Sequence, residues 1–464
     1  MRRALDAALD AHARVVVAVS GGPDSTALAH LVTEARPDLA ACVGHVRHGL
    51  RDDAEDAAVT AAHARALGLA YHERSVRVRP GGQGLEAAAR EARYAALCRI
   101  ARTVDARAIV VGHTADDQAE TVLLNIARGT GLRGLAGMAP SRSGEADEVH
   151  GVRIVRPLLR LRRADVHAFV RGEGLRFVSD PTNSDPEQRR ARARFELLPA
   201  LAGLSGGGGD PVAALTRLAD LARADADALD ELAAAHARRI VVAWGPARAV
   251  RTDALGGLPG ALASRVVRLL LRGVRGGAEV PALTVSAVLA LRPGQAVHGP
   301  GGVWVTSGGG WVAAVPPDVA ALPGRRLHAP GAVALPELGL VVRADHPASD
   351  PPLDPGVAHR PGEPAPRPLA DGPPGTRGPA WAVLPGTDGP LVVRGPRPGD
   401  RFGAENLAEA LGAAGVPRAL RALLPVVADA TGVVWVPGLE PPPAPASPAA
   451  GEPGARVRLW LAPA

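Results

Sequence analysis

Two short strings in this chain hold the residue types needed to act on a nucleotide. Ser20-Gly21-Gly22-Pro23-Asp24-Ser25 combines paired glycines, two hydroxyls and a carboxylate. Successive glycines permit a tight turn whose amides point at an anion. A helix opening directly behind the turn adds free N–H groups and a partial positive charge. Ser20 and Ser25 supply further donors, and Asp24 can cap the helix or hold a metal ion bridged to phosphate. The string lacks the Gly-Lys ending of a Walker A loop, and it is not a dinucleotide fingerprint. A G-x-G-x-x-G does occur at Gly129–Gly134, but a helical pattern rather than a strand precedes it. The second string is Gly112-His113-Thr114-Ala115-Asp116-Asp117-Gln118-Ala119-Glu120-Thr121. Asp117 and Glu120 are three apart and share a helical face. Carboxylates there either cap the helix or face a site, where they bind an amine, hold Mg²⁺ or take a proton from an attacking amine.

Both strings need a scaffold that brings them to one edge. Val15–Val19 is a continuous apolar run, as a buried parallel strand requires. Helical patterns over Asp24–Glu34, Asp52–Leu67, Leu85–Arg102 and Asp116–Ala127 alternate with strands at Leu39–Val46, Tyr71–Val78 and Ala106–Val111. This order predicts an α/β fold: an open parallel sheet with helices on both faces. Ligands of such sheets sit at the carboxyl ends of the strands, where both strings fall.

The chain has 464 residues, enough for two or three domains. We expect a catalytic domain over 1–205, ended by the glycine run Gly206–Gly209, and a mainly helical domain over 211–318 with a hairpin at Val303–Val315. A Pro/Gly-rich connector over 319–390 with a short strand at Leu338–Val342 follows, then a small α/β domain over 391–464 containing the low-complexity stretch Pro441–Pro453. No apolar run is long enough to span a bilayer and no secretory leader is visible, so a cytoplasmic protein without a membrane partner is expected. Cys42 and Cys98 are too few for a disulfide scaffold, and both read as small core residues. All 53 basic residues are arginine against 47 acidic ones, giving a formal charge of +6. A catalytic lysine is thereby excluded, and phosphate contacts must come from arginine, histidine, hydroxyls or backbone amides.

The first string resembles the loop of the PP-loop ATP pyrophosphatases, which split ATP into AMP and pyrophosphate. Further strings narrow the resemblance. His45-Val46-Arg47-His48-Gly49-Leu50-Arg51 is similar to the HVxHGLR segment of the tRNA(Ile)-lysidine synthetase family, with Arg47 where that family usually has Asp or Asn. Glu86 to Tyr94 resembles its EAAARxxRY segment, with Arg90 and Tyr94 on one helical face. Gly112–Thr121 resembles GHxxDDQxET, and Arg128–Met138 resembles RGxGxxGLxGM. Arg156–Leu159, Asp180–Asn183 and Arg190-Ala191-Arg192-Ala193-Arg194 follow in the order of RPLL, DPTN and RNRxR, with Ala191 where Asn is common.

The resemblance implies a ligase that adenylates C2 of the wobble cytidine of a CAU-anticodon tRNA(Ile), then lets free L-lysine displace AMP. It implies ATP and Mg²⁺, with Asp24 as the metal contact. Ser20, Gly21, Gly22, Pro23, Asp24, Ser25, His45, Gly112 and His113 are expected on ATP. Asp24, Asp117 and Glu120 are expected to carry the chemistry, and Arg90, Tyr94, Asp116, Arg128, Arg190, Arg192 and Arg194 to contact substrate or RNA. The C-terminal region is expected to bind tRNA, and monomer and homodimer are both compatible with the sequence. A tRNA thiolase would share the loop, but no CxxC is present. A non-catalytic RNA-binding protein is disfavoured by the intact Asp24, Asp117 and Glu120.

Overall fold

The structure is a computed structural model that describes residues 1–49, 53–78, 85–143, 151–179, 189–204, 209–275, 280–346, 373–374, 380–385, 390–441 and 456–464. The chain forms two compact units, Met1–Ala228 and Leu229–Ala464. Leu50–Asp52, the string Asp180–Asp185 and most of Pro441–Pro453 lie outside the described residues. Among those described, no helix is long and apolar enough to cross a membrane.

The first unit is built on a six-stranded sheet. Its strands are β1 (Arg14–Ala18), β2 (Ala40–Arg47), β3 (Ala70–Ser75), β4 (Ala108–Val110), β5 (Ser141–Ser143) and β6 (Arg153–Val155). They run in the order β3-β2-β1-β4-β6-β5, all parallel except β5. The helices are α1 (Arg2–Asp6), α2 (Pro23–Ala35), α3 (Ala54–Ala66), α4 (Leu85–Thr103), α5 (Ala115–Ala127), α6 (Leu132–Leu135) and α7 (Arg163–Gly172). Val15 and Val17 pack with Leu28, Val32, Val166 and Val170 on one face, while Val16 packs with Leu97, Cys98 and Ile100 on the other. Side chains alternate across a strand, so burial on both faces requires the uninterrupted Val15–Val17 run. Cys42 and Cys98 are free and buried in the second of these cores, and burial pushes the Cys42 thiol up to about 11. Because β1 lies between β2 and β4, the chain direction across the sheet reverses there. The loops leaving β1 and β4 open a crevice at that point.

The unit continues past the glycine run to Ala228 because the first half of helix Pro211–Ile240 packs on it. Val212 joins Ala115, Ala119 and Leu198, and Asp210, Asp220 and Asp227 pair with Arg162, Arg160 and Arg133.

A histidine chain ties α2 and α3 to the segment after α7. His63 Nε2–H donates to the Arg176 carbonyl at 2.7 Å, so its Nδ1 accepts from His30 Nε2–H at 3.0 Å. Burial, helped by His63 and opposed by Glu173, holds the His30 pKa below its ordinary value. The fold therefore disfavours the protonated form of His30, whereas the unfolded chain takes up a proton below about pH 6.5. Stability should fall as pH drops from there toward the depressed folded value. In melting curves at about pH 7.5 and 5.5, His30→Gln should narrow the gap seen with the parent protein.

In the second unit, helices Gly260–Arg275 and Ala282–Leu289 cover an antiparallel sheet. Its strands run Val241–Trp244, Ala247–Arg251, Trp311–Val315, Trp304–Gly308 and Ala296–His298. The expected hairpin is two strands of this sheet, so 211–318 is less helical than its sequence pattern suggests. The other three strands are only three to five residues long, too short for alternation to register. Within 319–390, strands occur at Arg325–Leu327, Gly331–Leu335, Leu340–Asp345 and Trp381–Pro385. Arg325–Leu327 pairs with Leu391–Arg394, and Arg456–Pro463 lies between Leu340–Asp345 and Trp381–Pro385. The ends of the expected connector thus complete sheets with residues 391–464. Pairing partners so distant in the chain leave no local trace. Trp435, fully buried, sits in this core.

Candidate active site

The crevice begins at the turn after β1. Gly21 has φ +87°, and a Cβ there would lie 3.1 Å from the Asp56 Cα, so glycine is required twice over. Gly22 is the N-cap of α2 and Pro23 its first residue, with no side chain capping the helix. The first-turn amides are therefore not spent on a cap, as an anion cradle needs. Ser25 Oγ accepts from the Ser20 N–H at 3.0 Å, lies 3.1 Å from Ser20 Oγ and donates to the Gly22 carbonyl at 3.0 Å. The two serines thus rigidify the turn. From the neighbouring strand, His45 Nδ1–H donates to the Val19 carbonyl at 2.8 Å, leaving its buried Nε2 without a partner among the described residues. Gly112, just past β4, abuts the start of α2: a Cβ there would sit 3.0 Å from the Asp24 carbonyl oxygen. Gly112→Ala should push α2 off the sheet end and weaken ATP binding at least tenfold, measured by titration, with a smaller effect on the far-ultraviolet spectrum.

The acidic residues converge on α7. Thr114 caps α5 in a reciprocal box, its hydroxyl accepting from the Asp117 N–H while Asp117 Oδ2 accepts from the Thr114 N–H at 2.8 Å and hydroxyl at 2.9 Å. Asp117 Oδ1 remains for Arg163 Nη2 at 2.6 Å. The cap and the site are thus built by the same carboxylate. Glu120 is fully buried; its Oε1 accepts from Arg194 Nε at 2.8 Å and Arg163 Nη1 at 3.2 Å, and its Oε2 has no partner among the described residues. Asp24 Oδ1 lies 3.1 Å from His167 Nε2, and Oδ2 lies 3.5 Å from Arg163 Nε. Burial pushes the Asp24 carboxyl above its ordinary pKa, and Asp117 adds repulsion that Arg163 and His167 only partly offset. Asp116 accepts from the Arg163 backbone N–H at 2.7 Å and so satisfies the start of α7. Burial opposes the Arg163 charge, but Asp117, Glu120 and Asp24 outweigh it and push its pKa up.

A basic wall faces this cluster. Arg90 and Arg93 of α4 and Arg142 of β5 lie 5.1, 5.8 and 6.0 Å from the centre of the buried Tyr94 ring. Burial raises the Tyr94 phenol, but Arg90, Arg156 and Arg93 outweigh it and hold its pKa below the ordinary value. Burial drives the His113 pKa well down, with Arg156, Arg90, Arg93 and Arg190 adding to the effect. Neutral His113 keeps a buried Nδ1 without a partner among the described residues. So many guanidiniums with few carboxylates between them suit a polyanion.

The structure does not bring every expected residue to this place. Arg128 is exposed at the far end of α5, three helical turns from Asp117. Arg190 to Arg194 are wound as a helical turn running into a π-helical one, rather than extended. Residues four apart then share a face and the middle one turns away. Arg190 acts on His113 and Arg194 holds Glu120, while exposed Arg192 pairs with Glu196 at 3.3 Å. Arg47, at the atypical position, is tied to Asp53 at 2.7 Å. Arg163 and His167 are missing from the expected set. Their one signal is a four-residue spacing, which arginine abundance hides.

Residues 1–201 match the family model described as a PP-loop domain. The tRNA(Ile)-lysidine synthase of Thermobifida fusca (strain YX) is 45% identical over 295 residues, 63% of this chain and 86% of that protein. That of Salinispora arenicola (strain CNS-205) is 41% identical over 331 residues, 68% of this chain and 95% of that protein. The synthase of Symbiobacterium thermophilum is 34% identical over 462 residues, 92% of this chain and 89% of that protein.

Proposed function

Because this chain belongs to the tRNA(Ile)-lysidine synthase family, we propose that it joins free L-lysine to C2 of the wobble cytidine in a CAU-anticodon tRNA(Ile), at the expense of ATP. One observation carries the reading. A nucleotide loop ending in Asp24 and a pair of amine-seeking carboxylates on α5 meet at a single guanidinium, Arg163.

The cytosine C2 carbonyl is a poor electrophile. In the first step its oxygen attacks the α-phosphorus of ATP and pyrophosphate leaves. The turn Ser20–Ser25 holds the departing phosphates through its amides and hydroxyls, with Gly112 and His45 shaping the floor. In the second step the neutral ε-amine of lysine attacks C2, the C2–O bond breaks, AMP leaves and the amine sheds a proton. Asp117 and Glu120 differ in access. Asp117 retains some exposure, whereas Glu120 has none. Asp117 therefore takes the amine and its proton, and Glu120 anchors Arg163 and Arg194 behind it. Arg90, Arg93, Arg190, Tyr94 and His113 present the wall for the RNA backbone and the splayed base.

Among the described residues no group of three His, Cys, Asp or Glu side chains is arranged to hold a metal ion alone. Mg²⁺ usually keeps several waters and binds through one or two carboxylates plus substrate phosphates. Asp24, beside the phosphate turn, fits that mode, and bound Mg²⁺ would neutralise charge on the leaving pyrophosphate. Positioning the reactants supplies a large share of the rate, on the order of 7–11 kcal/mol for well-oriented groups.

The test uses purified protein, ATP, Mg²⁺, radiolabelled lysine and a CAU-anticodon tRNA(Ile) transcript. Label should enter the RNA only with ATP present, with one AMP formed per lysine. ATP split to AMP without label in the RNA would keep the nucleotide loop and overturn the lysine substrate.

A further inference from the structure

We infer that Arg163 is a positioning residue that links the two half-reactions, holding Asp24 on the nucleotide side and Asp117 with Glu120 on the amine side in one charge-balanced arrangement. The inference rests on the function proposed above and adds a residue that the sequence motifs do not single out.

Three nitrogens of one guanidinium meet three carboxylates from two helices. Nη2 lies 2.6 Å from Asp117, Nη1 3.2 Å from Glu120 and Nε 3.5 Å from Asp24. Only a rigid planar fork can address α2 and α5 together in this way, and a lysine ammonium is a point charge that cannot. The fork is itself held. Asp116 fixes the Arg163 backbone N–H at 2.7 Å, which gives this acidic residue a structural duty at the start of α7. His167, four residues on and so on the same face of α7, takes the other oxygen of Asp24 at 3.1 Å. The segment after α7 is stitched to the nucleotide turn, since the Val178 N–H donates to the Gly21 carbonyl at 2.9 Å.

The charges also fit. Asp24, Asp117 and Glu120 face two guanidiniums, Arg163 and Arg194, with His167 alongside. One formal negative charge is left over, to be met by a bound cation or the substrate ammonium. Without Arg163 the cluster would carry two, and the carboxylates of α2 and α5 would repel each other across the crevice. Arg163 thereby sets how far the amine site stands from the activated base.

The test compares Arg163→Ala and Arg163→Lys with the parent protein in the lysine-labelling assay, alongside melting curves. Arg163→Ala should raise the lysine KM at least tenfold, with a smaller change in the ATP KM. Arg163→Lys should recover part of kcat but not the parent KM, because charge returns without the fork. Adding Arg163→Ala to Asp117→Asn should cost much less than it does alone, since the pair acts as a unit. An unchanged lysine KM in both single variants, or strict additivity with Asp117→Asn, would show a purely structural role and overturn the inference. If Arg163→Ala does not fold, the lysine KM of Arg163→Lys decides the question alone. A parent protein that incorporates no lysine would instead overturn the proposed function.

Discussion

Asp24→Asn is expected to abolish lysidine formation while leaving the fold at least as stable as before. The nucleotide turn would lose its carboxylate at the point where charge develops on the leaving pyrophosphate. Removing one such preorganised electrostatic group typically costs about 10²–10³-fold in rate. The melting temperature should move the other way. Asp24 is half-buried, and its pKa is raised because desolvation and Asp117 outweigh the attraction of Arg163 and His167. A carboxyl whose folded pKa is raised favours the fold fully only below its unfolded pKa, near 3.9, and that benefit is lost as pH rises through the folded value. Where Asp24 is ionised it is therefore a burden on stability, retained for function. Asn keeps the size and can accept from His167, and Arg163 retains Asp117 and Glu120. Tenfold slower ATP–pyrophosphate exchange would already support the role. A variant with parent-level exchange would remove Asp24 from the chemistry, and a variant that melts well below the parent would show its ion pairs outweigh its burial.

The nucleotide turn and the parallel sheet are legible in the sequence because both rest on local rules. Paired glycines followed by a helix start fix the turn, and uninterrupted valines fix a strand buried on both faces. Asp117 and Glu120 are legible for the same reason, through helical spacing. Arg163 is not, because its importance lies in partners 46 and 43 residues away, and as many as 139 in the case of Asp24. One arginine among 53 carries no mark of such a role. The arginines at 190, 192 and 194 look equivalent in sequence. Only the helical and π-helical winding separates the inward pair from the outward one. The second unit suffers most, since its sheets join strands more than a hundred residues apart, as Leu340 and Pro463 show. Loop-closing pairings of that kind are written in complementarity of register, not in local periodicity.

Glu120→Gln is expected to be the most damaging conservative change in the first unit. The side chain has no exposure, and its Oε1 carries both Arg194 at 2.8 Å and Arg163 at 3.2 Å. A neutral amide can still accept hydrogen bonds but cannot balance two guanidiniums held away from water. Breaking a buried ion pair from one side costs about 3–5 kcal/mol. Each kcal/mol lowers the melting temperature of a domain of this size by about 2–4 °C. The amide would also place an N–H₂ group where Oε2 or Oε1 now lies, and neither position offers it an acceptor among the contacts of Glu120. Asp117→Asn makes the contrast that gives the experiment its force. Asp117 is partly exposed, and its capping bonds to Thr114 need only an acceptor, which Asn supplies. That variant turns an N–H₂ toward Arg163, but at a place that keeps some exposure, so it should melt nearer the parent than Glu120→Gln does while losing most of its lysine transfer. If Glu120→Gln instead melts normally and loses only lysine transfer, then Glu120, not Asp117, receives the amine. The anchor would then be the exposed member of the pair, against what its burial implies.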